Sequence, residues 1–434
     1  MFITDNLSTN EKGHLTIGGV DTTELAKDFG TPLYVMDENL IRENCRSFKN
    51  SIDKFYSGKG LVCYASKAFS CKEMLRVVQS ENVGLDVVSI GEMYTAVKAG
   101  FNCDNICFHG NNKTDEELEY AIDNHIGRII VDNIYELERL NKIAERKNVI
   151  ANVMLRIKPG IDAHTHNFVK TGQIDSKFGF AIETGEAYEA AVMAGLDKCL
   201  NVRLKGLHCH IGSQIFDIDP FEHAAEVMLQ FIAKLKQEAG IVIEELNLGG
   251  GFGIKYVEND DPKPYETYME RVSVVVKKKC EELGLDLPFI LIEPGRSIAG
   301  PAGITLYTVG GIKEIPNIRT YVSIDGGMCD NPRYILYQSE YEAVVANKAD
   351  QPKTTKVTIA GKCCESGDLI GEGMPLQEVE VGDTIAVLAT GAYNYSMSSN
   401  YNRIPKPAVV FVKDKSARVV VKRETLDDII RNDI

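Results

Sequence analysis

The chain has 434 residues, 44% of them hydrophobic and 25% charged, with a formal net charge of −14. That length calls for more than one core, and the acidic balance excludes nucleic acid and anionic membranes as partners, since their phosphate field would repel most of the surface. There is no apolar run of membrane-spanning length and the start, Met1-Phe-Ile-Thr-Asp-Asn6, lacks a basic, apolar export segment, so a cytoplasmic protein is expected, its eleven cysteines being free thiols.

Residues 1–35 form an N-terminal segment whose β-like Thr31-Pro-Leu-Tyr-Val35 is expected to join a later β domain. Between 36 and 300, β-rich runs alternate with amphipathic helical stretches such as Thr114 to His125 and Pro220 to Ala239. The runs are Leu61-Val-Cys-Tyr-Ala, Gly84-Leu-Asp-Val-Val, Asn105-Ile-Cys-Phe, Arg128-Ile-Ile-Val, Asn152-Val-Met-Leu-Arg-Ile, Leu204-Lys-Gly-Leu-His-Cys-His, Glu245-Leu-Asn-Leu and Phe289-Ile-Leu-Ile. Eight such units predict a (β/α)8 barrel of the TIM type, whose chemistry sits where strands end. From 301 to 434 the texture turns to alternating β-branched runs such as Ile304-Thr-Leu-Tyr-Thr-Val and Ala408-Val-Val-Phe-Val, which predicts a C-terminal antiparallel β domain.

Candidate functional residues fall just past the predicted barrel strands. Lys67, in Cys63-Tyr-Ala-Ser-Lys67, ends an apolar run; such a lysine is commonly a solvated cation, but it can also condense with a carbonyl cofactor. Gly249, Gly250 and Gly251 follow the seventh strand, where barrels often bind phosphate, and bare backbone amides can approach an anion there. A dinucleotide fingerprint fails because Ile254 stands where a further glycine is needed. Glu293, buried at a strand end, wants a partner, and a protonated pyridine nitrogen would serve; a Glu293–Arg296 ion pair is the plainer alternative. His208 and His210 share one face of a strand and could bind a metal, with His164 and His166 in support, as in barrel hydrolases. His210 can equally stack on a planar ring with Ser213 donating to phosphate, and His208 then reads as a satisfied core histidine. In Cys363-Cys-Glu-Ser-Gly-Asp368 a thiol, Cys364, and an acid, Glu365, share a loop; Arg333, Tyr337 and Tyr393 add donors for carboxylate or phosphate. Together these residues describe a pyridoxal phosphate site rather than a metal site.

These motifs, over essentially the whole chain, resemble the diaminopimelate decarboxylases of the alanine racemase-like group of pyridoxal phosphate enzymes. The strings Lys158-Pro-Gly-Ile-Asp-Ala-His-Thr-His166, Ser176-Lys-Phe-Gly179 and His208-Cys-His-Ile-Gly-Ser-Gln214 carry the likeness to this branch. Ala360-Gly-Lys-Cys-Cys and Asn402-Arg-Ile-Pro depart from the usual pattern without removing a chemical group. The resemblance implies decarboxylation of meso-2,6-diaminopimelate to L-lysine and CO2, the last step of lysine biosynthesis. It implies Lys67 as the Schiff-base lysine and His210 as the ring-stacking residue, with phosphate contacts from Ser213, Gly250, Gly251, Gly295 and Tyr393. Glu293 would face the pyridine nitrogen, and Arg296 would meet substrate carboxylate or phosphate. Arg333, Tyr337, Glu365 and Tyr393 would bind substrate, and Cys364 would be the proton donor, offered across the interface of a homodimer with shared sites. The alternatives are a sister decarboxylase acting on ornithine, lysine or carboxynorspermidine, or a metal-dependent barrel hydrolase.

Overall fold

Eight strands, β1 Gly60–Ala65, β2 Gly84–Val87, β3 Ile106–Phe108, β4 Arg128–Val131, β5 Ala151–Lys158, β6 Val202–His208, β7 Glu245–Asn247 and β8 Phe289–Ile292, pair in parallel in chain order. β8 pairs back onto β1, which closes the barrel. The computed structural model describes residues 2–161 and 175–434. It divides into two units: Asn44–Gly253 with Pro262–Gly295, which contains the barrel, and Met1–Glu43 with Ile254–Asp261 and Arg296–Ile434.

β3 and β4 are buried along their whole length, and Ile106-Cys-Phe108 and Ile129-Ile-Val131 accordingly run apolar without alternation, whereas the equally buried β7 carries Glu245 and Asn247, both of them bonded. The helices between strands start and stop on local chemistry. Asp115–Asp123 opens on a reciprocal cap between Thr114 and Glu117, and Asp219–Ala239 carries Pro220 in its first turn and ends on left-handed Gly240. Inside the barrel the side chains stack in layers. At the N-terminal end Arg128 forks onto Glu245 at 2.6 and 2.8 Å, with Lys205 3.0 Å away. The middle is apolar: Cys63, Cys107, Ile130, Met154 and Leu291. The polar groups of the third layer lie at the strands' C-terminal ends.

In the other unit the sheet is mixed, which corrects the expectation of an antiparallel domain. Its main path runs Leu369–Leu376, Thr355–Ala360, Arg319–Ile324, Gly303–Ile315, Leu33–Asp37, Ala408–Lys413, Ser416–Val421. Leu33–Asp37 pairs in parallel with Ala408–Lys413, and Arg319–Ile324 with Thr355–Ala360. Parallel neighbours need long crossovers, and each of these pairs is separated by a long stretch of chain that an alternation pattern cannot reveal. Gly303–Ile315 divides its residues between two cores: Tyr307 and Val309 pack with Val322, Ile359 and Ile385, while Ile304 and Leu306 pack with Leu33, Val35 and Val410.

Candidate active site

In the barrel unit the polar rim is organised around Glu293, one residue past β8. Its carboxylate is 6% exposed and takes three contacts: His109 Nε2 at 2.8 Å and Asn247 Nδ2 at 2.6 Å on Oε1, and His208 Nε2 at 3.1 Å on Oε2. Burial alone would raise its pKa, but the facing imidazoles of His109 and His208 hold it well below the usual carboxylate range. Glu293 is therefore an anion with one acceptor position left on Oε2. Burial takes His208 the other way, down to about 4, so it faces Glu293 as a neutral ring donating from Nε2. The His208 Nδ1 atom has no hydrogen-bond partner among the described residues. The two histidine rings meet edge to face, with centroids 4.7 Å apart.

Lys67 sits two residues past β1, exposed between buried Ser66 and Ala68. Among the described residues its ammonium has no hydrogen-bond or ion-pair partner, which leaves a primary amine available at the mouth of the barrel. His210, two residues past β6 and partly exposed, is kept neutral chiefly by burial and then by the charges of Lys67 and Arg156. Gly250 donates its backbone N–H to His210 Nδ1 at 3.2 Å. The H-x-H pair thus does not converge on one point: His208 turns to Glu293 and His210 to the glycine turn.

The glycines are required by close backbone approach. A Cβ would lie 2.5 Å from Cys209 O at Gly249, 2.1 Å from Glu293 O at Gly250 and 2.4 Å from Gly212 O at Gly251. Gly249 and Gly251 also take positive φ, 70° and 107°. Asn247, fully buried at the end of β7, joins this turn to the acid: its Nδ2 donates to Glu293 while its Oδ1 accepts from Gly249 N at 2.9 Å. Ser213 follows Gly212 in the loop after β6, and a Cβ on Gly295 would lie 2.8 Å from the Ala65 methyl.

His109, Asn247, Asp86 and Arg156 were not singled out from the sequence. His109 lies one residue past β3, as Glu293 lies one residue past β8, and that offset was the available signal. Asp86, in β2, is buried; its Oδ1 has no hydrogen bond among the described residues and lies 3.7 Å from His109 Nε2. The nearest metal-like group is His109, His208 and Glu293, whose ligand atoms lie within 4.8 Å of one another. His164 and His166 lie outside the described residues.

The other unit gathers a second group. Arg296 donates to Tyr256 Oη at 2.5 Å and lies over the Tyr393 ring at 4.8 Å. Arg333 lies over the same ring at 5.0 Å and over Tyr337 at 5.0 Å. Tyr393 holds a left-handed backbone, φ 69°, a strain that persists when surroundings dictate it. Arg333 is buried and its Nε has no hydrogen-bond partner among the described residues, so this cationic pair is suited to an anion such as a carboxylate. Cys364 and Glu365 are exposed on the loop before Asp368.

The barrel's rim fits a pyridoxal phosphate: an amine with no partner among the described residues, a carboxylate with acceptor room for a ring N–H, and a turn stripped of Cβ atoms beside the His210 ring. Fold and rim together define the class, the barrel-type pyridoxal phosphate enzymes, and comparison with known proteins agrees. The sequence pattern of the family described as pyridoxal-dependent decarboxylase, pyridoxal binding domain, matches residues 38–300. Diaminopimelate decarboxylase from Bacillus subtilis is 50% identical over 100% of this chain and 98% of its own. Its counterpart from Staphylococcus aureus is 48% identical over 98% of both chains. The solved diaminopimelate decarboxylase from M. jannaschii in co-complex with L-lysine superposes with a TM-score of 0.93 at 36% identity, covering 100% of this chain and 99% of the other. The chain belongs to the diaminopimelate decarboxylase family.

Proposed function

We propose that this chain decarboxylates meso-2,6-diaminopimelate to L-lysine and CO2 with pyridoxal phosphate, closing lysine biosynthesis. The observation that carries this reading is the ionised Glu293, held by three protein contacts with one acceptor position still open. Bound pyridoxal phosphate supplies the electron sink that accepts the pair left at the substrate's Cα when CO2 departs. Glu293 would keep a proton on the ring nitrogen, and its full charge favours decarboxylation over racemisation, which wants a weaker sink. Lys67 would hold the cofactor covalently, His210 would cover the ring face, and Ser213, Gly250, Gly251, Gly295 and Tyr393 would bind its phosphate.

Substrate choice is assigned to the second group. Arg296 and Arg333 would take carboxylates, with Tyr337 and Tyr393 as neighbouring donors, and Glu365 would take the distal ammonium; a diamine precursor with no distal carboxylate leaves one guanidinium unmatched. Cys364 would deliver a proton to Cα. Its exposure, with that of Glu365, supports a homodimer in which these residues complete a second copy's site. The ligand is in any case a small amino acid, and among the described residues no helix is long and apolar enough to cross a membrane. A cytoplasmic location is supported by the eleven cysteines, none of them in a disulfide.

The test is lysine and CO2 formation from the meso isomer, with and without pyridoxal phosphate, beside the L,L isomer, ornithine and carboxynorspermidine. Cofactor-dependent turnover of the meso isomer alone is expected. Turnover of another substrate would overturn the roles of Arg333 and Glu365, and chelator-sensitive activity without cofactor would overturn the whole reading.

A further inference from the structure

Two loops of the β-sheet unit carry the residues assigned above to substrate and proton. One spans residues 326–332 and leads into the short helix Arg333–Tyr337; the other spans residues 361–368 and presents Cys364 and Glu365. Neither is held by regular sheet pairing. What joins them is Asp368, which is 2% exposed. Its Oδ1 accepts the backbone N–H of Met328 at 2.6 Å and its Oδ2 that of Cys363 at 2.7 Å, so one carboxylate straddles both loops.

The surroundings are shaped for that carboxylate. A Cβ on Gly327 would come 2.5 Å from it and a Cβ on Gly361 2.2 Å, so both loops lack a side chain where it lies. Secondary ties run alongside: Lys362 N to Gly326 O at 2.8 Å, Gly361 N to Asp368 O at 2.9 Å and Cys364 N to Asn402 Oδ1 at 2.7 Å. Burial raises the Asp368 pKa, and the bonds from the Met328 and Cys363 amides offset only part of that rise.

We propose that Asp368 is a positioning residue that locks the Arg333 loop and the Cys364 loop into one body, so that the guanidinium serving one site and the proton donor offered to the second copy's site are held by a single frame. It touches neither substrate nor cofactor and acts through two backbone amides. The inference rests on the roles given above to Arg333, Glu365 and Cys364. An asparagine has one acceptor oxygen and turns an N–H toward the other amide, so Asp368→Asn breaks one tie while keeping size.

The experiment uses the holoenzyme and reads three quantities: cofactor content, kcat and KM for meso-diaminopimelate, and the rate at which N-ethylmaleimide modifies Cys364, mapped by mass. For Asp368→Asn the cofactor content should hold, the Cys364 modification rate should change by about fivefold or more, and kcat/KM should fall on the order of 10²-fold through both constants, as a misplacement near 1 Å does. A folded Asp368→Asn enzyme with unchanged kinetics and thiol reactivity overturns the proposal. So does a variant that loses folded protein while the surviving fraction keeps wild-type constants, since that is a purely structural role. Gly361→Ala, which pushes on the carboxylate from the other side, should reproduce the effect. Cys364→Ala tests the underlying reading separately: if its kcat is unchanged the donor assignment fails, while thiol reactivity in Asp368→Asn still decides the clamp.

Discussion

Gly250→Ala puts the geometry of the glycine turn under direct test. The added Cβ would lie 2.1 Å from Glu293 O and 2.9 Å from Glu293 C, and both atoms belong to backbone that cannot rotate away. Relief to the closest contact that real Cβ atoms show, 3.0 Å, requires the turn and the end of β8 to separate by about 0.9 Å. Gly249 O accepts from Glu293 N at 2.7 Å, and the same movement would stretch that bond to about 3.6 Å, beyond a useful hydrogen bond. Stability should fall by about 1 kcal/mol for the lost bond, while a 1 Å error at the reacting groups costs kcat on the order of 10²-fold. Cofactor affinity from a fluorescence titration, kcat on the meso isomer and the thermal midpoint separate these effects. A variant with wild-type affinity and kcat would show that the turn yields freely and is not the rigid support described here.

Lys67→Ala should abolish covalent attachment of the cofactor, read as loss of the imine absorbance on the purified protein; a retained band would refute the anchoring role. Cys364→Ala should lower kcat by about 10²-fold or more with little change in substrate binding, and an unaffected kcat would remove it as donor. Acid should destabilise the barrel unit through one pair. His208 titrates near 4 in the fold against 6.5 when free, so the unfolded chain takes up a proton that the folded one refuses, and about 3 kcal/mol is lost as pH falls through that window. Glu293 acts in the same direction, because its depressed pKa stabilises the fold above its free value and that contribution is lost toward acid. Urea unfolding against pH should show this slope and His208→Asn should flatten it; an identical slope in the variant contradicts the pairing.

The barrel was legible because strands buried on both faces read as apolar runs, and the placing of Lys67, His210, Gly249 and Glu293 at or just past strand ends agreed with that architecture. The partners of Glu293 were not legible. His109 is 184 positions away and Asn247 46, and nothing local in His109-Gly110 or Leu246-Asn247 distinguishes a carboxylate donor from an ordinary polar residue at a loop. His208, read as a satisfied core histidine, is buried and bonded, but its bond is to Glu293 and so belongs to the site. The mixed character of the sheet was hidden for a related reason: alternation shows that a strand is half-buried and says nothing of which way its neighbour runs. Asp368 was visible only as the end of a polar loop motif, because bonding to backbone amides leaves no trace in the side chains around it.

The place of Leu33–Asp37 inside the β-sheet unit sets a timing problem for synthesis. This strand lies between Gly303–Ile315 and Ala408–Lys413, and both neighbours are made far later. The second follows about 370 residues downstream, so at ribosomal speed the apolar Leu33-Tyr-Val-Met36 waits roughly 20–70 s before both of its edges are covered. A nascent chain in that condition invites wrong pairing and depends on holding factors, and a fragment starting at 301 would fold around a missing central strand. Slow translation of the C-terminal third should therefore lower soluble yield far more than equal slowing near the start.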